Sequence, residues 1–460
     1  MSTTFQPFEE KMRASGMGEL AIETFRRHFA MLSGGGSGLI REEEIDPGGE
    51  FERFEETDGA GPDDAELLGR TVVVKLNGGL GTSMGLSKAK SLLPLRDGMT
   101  FLDLIVRQIE SLRGRSGANV RLLLMNSFAT SKDTMGWLAG HAAGDLADSR
   151  EVEMMQNRVP KIDVATMGPV EWPPNPALEW CPPGHGDIYP VLAESGWLDR
   201  LLSEGVRYAF VSNSDNLGAT LSPGLLAHFA ASGAPFMMEV TRRTGADRKG
   251  GHLARRLSDG RLLLREVAQC APEDLDAFQD TDRYRYFNTN NIWLRLDALR
   301  ETLDAHGGVL PLPVIRNRKT VDPRDKGSTP VIQLEAAMGA AIECFDASRA
   351  IEVGRGRFAP VKTSADLLAV RSDAYRLAGD GRLELEPGRQ GVPPVVELDA
   401  RFRMVDALDG LGLPSLLGCR RLDVEGAVEF GPGVVVEGDV SVKGEGVLGA
   451  GVYRDCEIEL

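Results

Sequence analysis

The chain has 460 residues, of which 42% are hydrophobic and 26% charged, and its formal net charge at pH 7 is −16. This composition is typical of a globular protein with two or three domains. The acidic balance argues against nucleic-acid binding, because affinity for a phosphate backbone depends on clustered Lys and Arg. A small anionic ligand stays compatible with it, provided that a few lysines gather in one cleft.

The five cysteines are scattered and form no CxxC pair. This pattern is typical neither of a disulfide framework nor of a thiolate zinc site, and it favours a reducing, cytoplasmic location. Residues 1–12 lack the charged and apolar parts of a signal peptide. No apolar stretch approaches the roughly 20 residues that a membrane-spanning helix needs. We therefore expect no membrane partner.

The first 66 residues are expected to form a helical and acidic N-terminal segment. Apolar side chains recur near helical spacing over 1–32, which predicts an amphipathic helix. The serine and glycine run 33–38 predicts a flexible break. Residues 41–66 are rich in acidic side chains and predict a solvated surface segment.

The next part of the chain has the pattern of a doubly wound, mostly parallel α/β domain. The β-branched run 71–76 predicts a buried strand. A helix over 101–112 is predicted to start in a capping box of Thr100 and Asp103, and 120–125 is a second strand. Together they form one βαβ unit, which implies a parallel sheet. Further strands are predicted at 207–211, 236–240, 262–267 and 292–296, with helices that include 332–345.

Beyond residue 395 the pattern changes to short valine-rich runs that are separated by glycines. Such a repeat predicts a small domain resembling a left-handed β-helix. The predicted organisation is therefore an N-terminal segment at 1–66, a catalytic domain at 67–395 and a C-terminal domain at 396–460.

A glycine-rich loop, Leu76-Asn-Gly-Gly-Leu-Gly-Thr-Ser-Met-Gly85, follows the first predicted strand. Ligands bind at this end of the strands in open α/β sheets, and glycines let the backbone approach a phosphate or a base. The loop matches neither the phosphate loop of NTPases nor the dinucleotide fingerprint. A tight structural turn is the alternative interpretation. Lys90 follows the loop where it can meet a triphosphate.

Asp215 ends another hydrophobic strand, in the segment 211–216. A bound triphosphate carries a divalent cation, and such a cation needs at least one protein carboxylate. We predict that Asp215 is this metal ligand. The alternative is that it caps the next helix, a role that Ser222 can fill equally well.

With these motifs in place, the chain resembles the UDP-glucose pyrophosphorylases of the eukaryotic type. The similarity extends from the glycine loop and Lys90 through further segments in one order: 125–128, 182–187, 211–220, 249–251, 287–291, 331–335 and 358–363. It implies a nucleotide-diphospho-sugar transferase fold of the GT-A-like type. It also implies the reaction, in which UTP and glucose 1-phosphate give UDP-glucose and pyrophosphate, with Mg²⁺ as cofactor.

The resemblance also implies roles for individual residues. Nucleotide contacts are implied for Leu76, Asn77, Gly78, Gly79, Lys90, Gln156, Gly184, Asn213 and Asp215, and sugar-phosphate contacts for His185, Asn290, Lys362 and Asn213. Lys90 and Lys362 are the implied catalytic residues, and Gln156 is the one that recognises uracil. Asp187 is expected to fix its turn, and Lys249-Gly-Gly251 and Glu266 to close over the glucose. From the residues alone, His185 and the run 288–291 are also compatible with structural turns.

The implied chemistry is in-line attack of the sugar phosphate on the α-phosphorus of UTP, without a covalent enzyme intermediate. Three alternatives stay open: a uridylyltransferase with wider sugar tolerance, a catalytically silent UDP-sugar-binding protein, and a glycosyltransferase that uses UDP-glucose. The presence of Lys90, Asp215 and Lys362 together argues against the second, and a lysine after the glycine loop argues against the third. Because the valine-glycine tail ends at Leu460, we leave homo-oligomerisation through the C-terminal domain open.

Overall fold

The structure, a computed structural model, describes residues 4–35, 38–54 and 64–460. Within these residues the helices are α1 (Gln6–Ala14), α2 (Glu19–Ser33), α3 (Ala65–Gly69), α4 (Phe101–Ser116), α5 (Ser131–His141), α6 (Ser149–Val152), α7 (Ile188–Glu194), α8 (Trp197–Ser203), α9 (Pro223–Ser232), α10 (Leu275–Gln279), α11 (Leu296–Ala305), α12 (Ser364–Arg371) and α13 (Val405–Asp409). The strands are β1 (Ile45–Pro47), β2 (Glu52–Arg53), β3 (Thr71–Asn77), β4 (Pro94–Arg96), β5 (Met99–Thr100), β6 (Arg121–Asn126), β7 (Glu153–Met155), β8 (Val159–Pro160), β9 (Ile162–Asp163), β10 (Trp180–Cys181), β11 (Tyr208–Asn213), β12 (Phe236–Arg242), β13 (His252–Arg256), β14 (Leu262–Arg265), β15 (Tyr286–Arg295), β16 (Ile315–Thr320), β17 (Pro330–Glu335), β18 (Arg349–Glu352), β19 (Tyr375–Leu377), β20 (Leu383–Leu385), β21 (Val395–Leu398), β22 (Ser415–Phe430), β23 (Val434–Leu448) and β24 (Gly451–Glu459).

The central sheet has the strand order β2-β18-β12-β15-β11-β3-β6-β7. Neighbouring strands in this order are parallel except for β15, which is antiparallel to both β11 and β12. The predicted βαβ unit is β3-α4-β6, and Thr100 and Asp103 cap α4 reciprocally. The prediction of a mostly parallel α/β sheet is confirmed.

Both faces of the central sheet are buried. Val72 and Val74 belong to one hydrophobic cluster with α7, α8 and α11, whereas Val73 belongs to a second cluster with α4 and α9. Successive side chains of a strand point to opposite faces, so helices cover both sides, as expected of a doubly wound domain. The chain order reverses at β3, which lies between β6 and β11. Ligands bind at such a switch point.

The C-terminal strands β21 to β24 form a parallel stack of four. Val424 lies opposite Val442, so the valine columns of successive strands pack on one another. This is the stacking expected of a β-helix-like domain, and its left-handedness stays a prediction. One hydrophobic cluster joins the stack to α12 and to Phe101 of α4. The core is thus continuous across residue 395, and the domain boundaries stay predictions.

The N-terminal segment differs from its prediction. The predicted helix over 1–32 is two helices, α1 and α2, separated at Gly16, whose φ is 77°. The described part of the acidic segment docks on the sheet, where β1 pairs with β13 and β2 with β18. Glu42 forms an ion pair at 2.8 Å with Arg265, a fully buried side chain. Residues 1–3, 36–37 and 55–63 of these predictions lie outside the described residues.

The helix predicted over 332–345 is wrong. Its first part belongs to β17, which pairs antiparallel with β16, and the 3₁₀-helix Met338–Glu343 follows. Val331 and Ile332 are β-branched and favour a strand when a partner strand is available. Among the residues that the structure describes, no helix combines the length and the hydrophobicity of a membrane span.

Candidate active site

The candidate site is built on the carboxyl ends of β3 and β11, where Leu76 lies opposite Asn213. The Asn77 side chain is buried, and its Nδ2 donates to Asn126 Oδ1 at 2.8 Å and to Thr134 Oγ1 at 3.0 Å. These bonds join the ends of β3 and β6 to α5. The Asn77 amide is therefore used within the protein, and its backbone is what it can offer to a nucleotide.

The glycine-rich loop turns sharply after β3. Gly81 and Gly85 have φ values of 53° and 79°, a left-handed conformation that glycine adopts without steric cost. Lys90 N then donates to Gly79 O at 3.0 Å. This bond brings the chain back and returns Lys90 to the strand ends.

Two lysines converge on Asp215. Lys90 Nζ lies 2.8 Å from Asp215 Oδ2, and 12% of the Lys90 side chain is exposed. Lys362 Nζ lies 3.9 Å from the same oxygen, and 58% of its side chain is exposed. The other oxygen, Oδ1, is buried and accepts no hydrogen bond from the described residues. Two cations beside a carboxylate with one unused oxygen suit a polyphosphate that carries a divalent cation.

Residues 354–362, which we call the strap, carry Lys362 to the site. Val361 N donates to Asp215 O at 3.0 Å, which docks the strap on the loop after β11. Helix α12 begins directly afterwards, with Thr363 as its cap. Because Lys362 is far from Asp215 along the chain, only the resemblance singled it out.

Gln156 and Gly184 lie side by side, since Gln156 Nε2 donates to Gly184 O at 3.0 Å. Asp187 holds the neighbouring Asn157, whose N donates to Oδ2 at 2.7 Å and whose Nδ2 donates to Oδ1 at 3.0 Å. Burial raises the pKa of Asp187 to about 6, although the bonds from Asn157 favour its charged form. Asp187 thus bonds the segment after β7, and its role in fixing its own turn stays a prediction.

The turn around His185 packs against the chain after β17. Gly184 has a φ of 84°, and a Cβ at this position would overlap Ala336 O, so packing alone requires glycine here. His185 Nδ1 accepts a hydrogen bond from Met338 N at 2.8 Å. Burial, helped by the charge of Lys362, lowers the pKa of His185 to about 4. The ring is therefore neutral at pH 7 and carries its proton on Nε2, a donor that suits a phosphate or a sugar hydroxyl.

Asn290 lies in a β-bulge within β15, whereas the strand predicted in this part of the chain began only at residue 292. The register against β12 shifts between Glu239 and Val240, and the φ of Asn290 is 57°. Asn288 and Asn290 exchange two hydrogen bonds of 2.9 Å, each from an N–H of one to the side-chain oxygen of the other. Such a conformation is costly for a residue other than glycine and is concentrated at functional sites, where bulges redirect side chains.

The predicted glucose-closing groups also lie together. A Cβ at Gly251 would lie 2.7 Å from the carboxylate of Glu266. Burial raises the pKa of Glu266, and the positive charge of Lys362 offsets only part of that rise. Glu266 is thus close enough to Lys362 to sense its charge.

Sequence reasoning missed the polar side chains that support the site. Ser127 Oγ donates to Gly78 O at 2.9 Å, and Thr130 Oγ1 donates to Asn77 O at 2.8 Å. For Ser127 the signal was the motif 125–128, which had been assigned no role. A buried group behind Asp215 was missed as well: Asn216, Glu239, Asn291 and Arg357. For Glu239 the available signal was a lone carboxylate inside an apolar strand.

Comparison with known proteins decides the family. The family model described as UTP–glucose-1-phosphate uridylyltransferase matches residues 25–437. The chain belongs to this family. The uridylyltransferase of that name from Saccharomyces cerevisiae is 41% identical over 384 residues, which cover 83% of this chain and 75% of the yeast protein. The one from Solanum tuberosum is 41% identical over 381 residues, which cover 82% of this chain and 77% of the relative.

Solved structures agree with this assignment to the uridylyltransferase family. A point variant of the UDP-glucose pyrophosphorylase from Leishmania major, in complex with UDP-glucose, is 46% identical and matches with a TM-score of 0.94, both chains being covered in full. A UDP-glucose phosphorylase from Trypanosoma brucei is 46% identical, with a TM-score of 0.92 and 99% of each chain covered. The resemblance drawn from the motifs is therefore confirmed.

In this uridylyltransferase chain the candidate residues fall into contiguous groups. Asp215, Lys90 and Lys362 form one group, with His185 near enough to sense Lys362. Gln156 joins Gly184 to the glycine loop, because a Cβ at Gly78 would lie 2.7 Å from Gln156 Oε1. The remaining candidates flank these groups: Leu76, Asn77 and Gly79 at the end of β3, Asn213 at the end of β11 and Asn290 in the bulge.

Proposed function

We propose that this chain is a magnesium-dependent uridylyltransferase that forms UDP-glucose and pyrophosphate from UTP and glucose 1-phosphate. The observation that carries the proposal is the convergence of Lys90 and Lys362 on Asp215 beside the glycine loop. A pair of cations at a switch point suits two phosphorylated substrates. One phosphoanhydride bond forms as another breaks, so the reaction is reversible.

The donor set fits Mg²⁺ when the substrate supplies most of the ligands. Asp215 Oδ1 is buried without a protein hydrogen bond, and the described residues contain no cluster of three or more His, Cys, Asp or Glu side chains that could hold a metal ion. Mg²⁺ is commonly held by one or two carboxylates together with substrate phosphates and water. Asp215 would hold the ion. When bound, the ion supplies charge neutralisation on the phosphates.

The reaction needs positioning and charge stabilisation from the protein. Lys90 is largely buried against the loop, so it presents a fixed positive charge to the triphosphate. Lys362 is more exposed and lies near both Asp215 and His185, where it would meet the α-phosphate and the sugar phosphate. Neutral His185 would donate from Nε2 to the glucose 1-phosphate side. The sugar phosphate oxygen attacks the α-phosphorus in line, and pyrophosphate leaves.

Uracil recognition is proposed for Gln156. Its Nε2 already donates to Gly184 O, which leaves Oε1 and the second N–H for the edge of a base. Gly78 has no side chain to fill the space beside Oε1. A uracil offers both a donor and an acceptor to such an amide, and Gly184 and Asn213 would complete the nucleotide site.

We place the enzyme in the cytoplasm. Its five cysteines are free thiols, as expected in a reducing compartment. UTP, glucose 1-phosphate, UDP-glucose and pyrophosphate are the proposed partners, and homo-oligomerisation through the C-terminal stack stays a prediction.

The test is pyrophosphate release from UTP, Mg²⁺ and a panel of sugar 1-phosphates. We expect release with glucose 1-phosphate and a loss of at least about 10²-fold in kcat for Asp215→Asn, because the metal ligand is weakened. Asp276→Asn, an exposed carboxylate on α10, is the matched control and should keep wild-type turnover. Release with several sugars would widen the substrate class. No release despite UTP binding in calorimetry would contradict the proposal.

A further inference from the structure

The Asn216 side chain, next to Asp215, is 3% exposed and makes four hydrogen bonds. Its Oδ1 accepts from Gly218 N at 3.2 Å and from Ala359 N at 2.9 Å. Its Nδ2 donates to Asn291 Oδ1 and to Arg357 O, both at 3.2 Å. One amide thus bonds its own loop, two residues of the strap, and β15 next to Asn290.

The partners of Asn216 are themselves held by a buried ion pair. Arg357 donates from Nε and Nη2 to the two carboxylate oxygens of Glu239, both at 2.7 Å, and Glu239 is fully buried. Asn291 Nδ2 donates to Glu239 Oε2 at 2.9 Å. The near end of the strap is therefore anchored to the sheet, and Asn216 bonds the strap where it passes the loop of Asp215.

We propose that Asn216 is a positioning residue that sets where Lys362 stands relative to Asp215. The inference rests on the proposed function, in which Lys362 acts on the reacting phosphates. The Lys362 side chain is mostly exposed, and an exposed ion pair of 3.9 Å contributes little to its placement. Its position must therefore come from the strap backbone. Asn216 holds that backbone through Ala359 and Arg357. These bonds add to the backbone bonds from Val361 N to Asp215 O and from Leu217 N to Ala359 O.

Two substitutions separate the strap contacts from the local turn. In Asn216→Ser, the shorter hydroxyl can still accept from Gly218 N in an ST-type turn, but it does not reach Ala359 or Arg357. Asn216→Ala removes all four bonds. Ser372→Ala is the control, because fully buried Ser372 donates to Ala369 O at 2.7 Å and accepts from Ala374 N at 3.2 Å, at the far end of α12.

We expect Asn216→Ser to lower kcat by about 10²-fold, the typical cost of a misplacement of about 1 Å in a catalytic group. KM for UTP should change by less than about threefold, because Lys90 and the glycine loop are untouched. In the Lys362→Met background, Asn216→Ser should lower kcat by less than about threefold further, since both changes remove the same contribution. Ser372→Ala should lower Tm while keeping wild-type turnover.

Hydrogen exchange tests the strap without activity. Peptides that cover 357–363 should exchange at least about tenfold faster in Asn216→Ser than in wild type or in Ser372→Ala. Wild-type exchange there, or wild-type turnover in Asn216→Ala, would overturn the inference. The inference would also be overturned if the losses in kcat of the two single variants multiplied in Asn216→Ser/Lys362→Met, because independent losses indicate a merely structural role for Asn216. An inactive wild type would refute the proposed function, and the exchange rates would still decide whether Asn216 holds the strap.

Discussion

The glycine loop and the strap deliver the same kind of group, a lysine, to the same carboxylate, but they do so in different ways. Lys90 follows its loop within one stretch of chain, and its backbone N–H closes that loop on Gly79 O. Lys362 arrives on a distant segment that side-chain bonds from other elements hold in place. The exposed fractions of the two side chains are 12% and 58%.

This difference separates a fixed cation from an adjustable one. A lysine whose side chain is largely buried beside a tight loop has few rotamers open to it, so it offers a preorganised charge. A mostly exposed lysine keeps its conformational freedom and depends on its backbone for position. We infer that the loop side binds the triphosphate and that the strap side adapts to the reacting phosphate.

The largest effect is expected for Lys90→Ala, with a fall in kcat of about 10²–10³-fold, because a preorganised charge at the transition state is lost. His185→Ala should cost only about tenfold, since a neutral donor is removed and the lysines stay. Lys362→Ala should lower kcat about as much as Lys90→Ala but leave Tm unchanged, because an exposed pair adds little stability. Steady-state kinetics and thermal unfolding measure these differences.

Comparable losses in kcat for Lys90→Ala and His185→Ala would contradict the assigned roles. Lys90→Arg is the matched control for charge, and it should recover only part of the turnover, because the larger guanidinium does not fit a loop closed on Gly79. A strongly lowered Tm in Lys362→Ala would contradict the contrast between a fixed Lys90 and an adjustable Lys362, because an exposed side chain should add little stability.

The same contrast explains what the sequence could and could not predict. The loop glycines, Lys90 and the strand before them are contiguous, so a strand followed by a glycine turn predicts their place at a sheet edge. The carboxylate of Asp215 is similarly visible at a strand end. Lys362 reaches Asp215 across a long sequence separation, and its docking through Val361 and Asn216 depends on pairings that no local pattern encodes.

The next effect concerns two glycines, one that packs against the strap and one that lies in the glycine loop. A Cβ at Gly218 would overlap Gly356 O of the strap, so Gly218→Ala should push the strap outward. We expect a loss of about 1–3 kcal/mol in the free energy of unfolding from overpacking, and a fall in kcat of about tenfold from a displaced Lys362. Denaturant unfolding and kinetics provide the two measurements.

Gly79→Ala is the counterpart on the loop side. No atom lies within 4 Å of a Cβ at Gly79, so its free energy of unfolding should change by less than about 0.5 kcal/mol. KM for UTP should nevertheless rise, because the added methyl group occupies space that the nucleotide needs. An unchanged KM for UTP would remove Gly79 from the nucleotide site, and a stable, active Gly218→Ala would show that the strap tolerates displacement.

The fold errors have a related physical cause, since tertiary pairing decided the local structure. Residues 332–335 are compatible with a helix by hydrophobic spacing alone, and the partner strand β16 makes them a strand. The acidic residues within 42–54 are typical of a solvated segment by composition alone. The ion pair between Glu42 and buried Arg265 instead holds this segment against the folded domain. By contrast, the helix cap at Thr100 and the valine stack of the C-terminal domain depend on neighbours in sequence or on a short repeat. These were predictable for that reason.

The smallest effect on turnover is expected behind the site, at His28. His28 of α2 and Asp187 line one small cavity, and burial lowers the pKa of His28 to about 4, as it does for His185. A depressed histidine pKa means that the unfolded chain binds more protons, so stability falls as pH drops from about 6.5 to about 4. His28→Leu should remove up to about 3 kcal/mol of that dependence and keep turnover at pH 7 within about twofold.

His185→Ala should flatten the same part of the stability curve but also lower turnover, because His185 is the proposed donor to the sugar phosphate. Asp187, whose pKa is raised to about 6, acts in the opposite direction, since stability from this group falls as pH rises from about 4 to about 6. Asp187 is present in wild type and in both histidine variants. The differences between their stability curves therefore report mainly the histidines. Thermal unfolding across pH 4 to 7, with kcat at pH 7, separates the two histidines. If His28→Leu lost turnover as strongly as His185→Ala, the turn at 183–187 would be held in place by α2, and the candidate site would extend to the N-terminal helices.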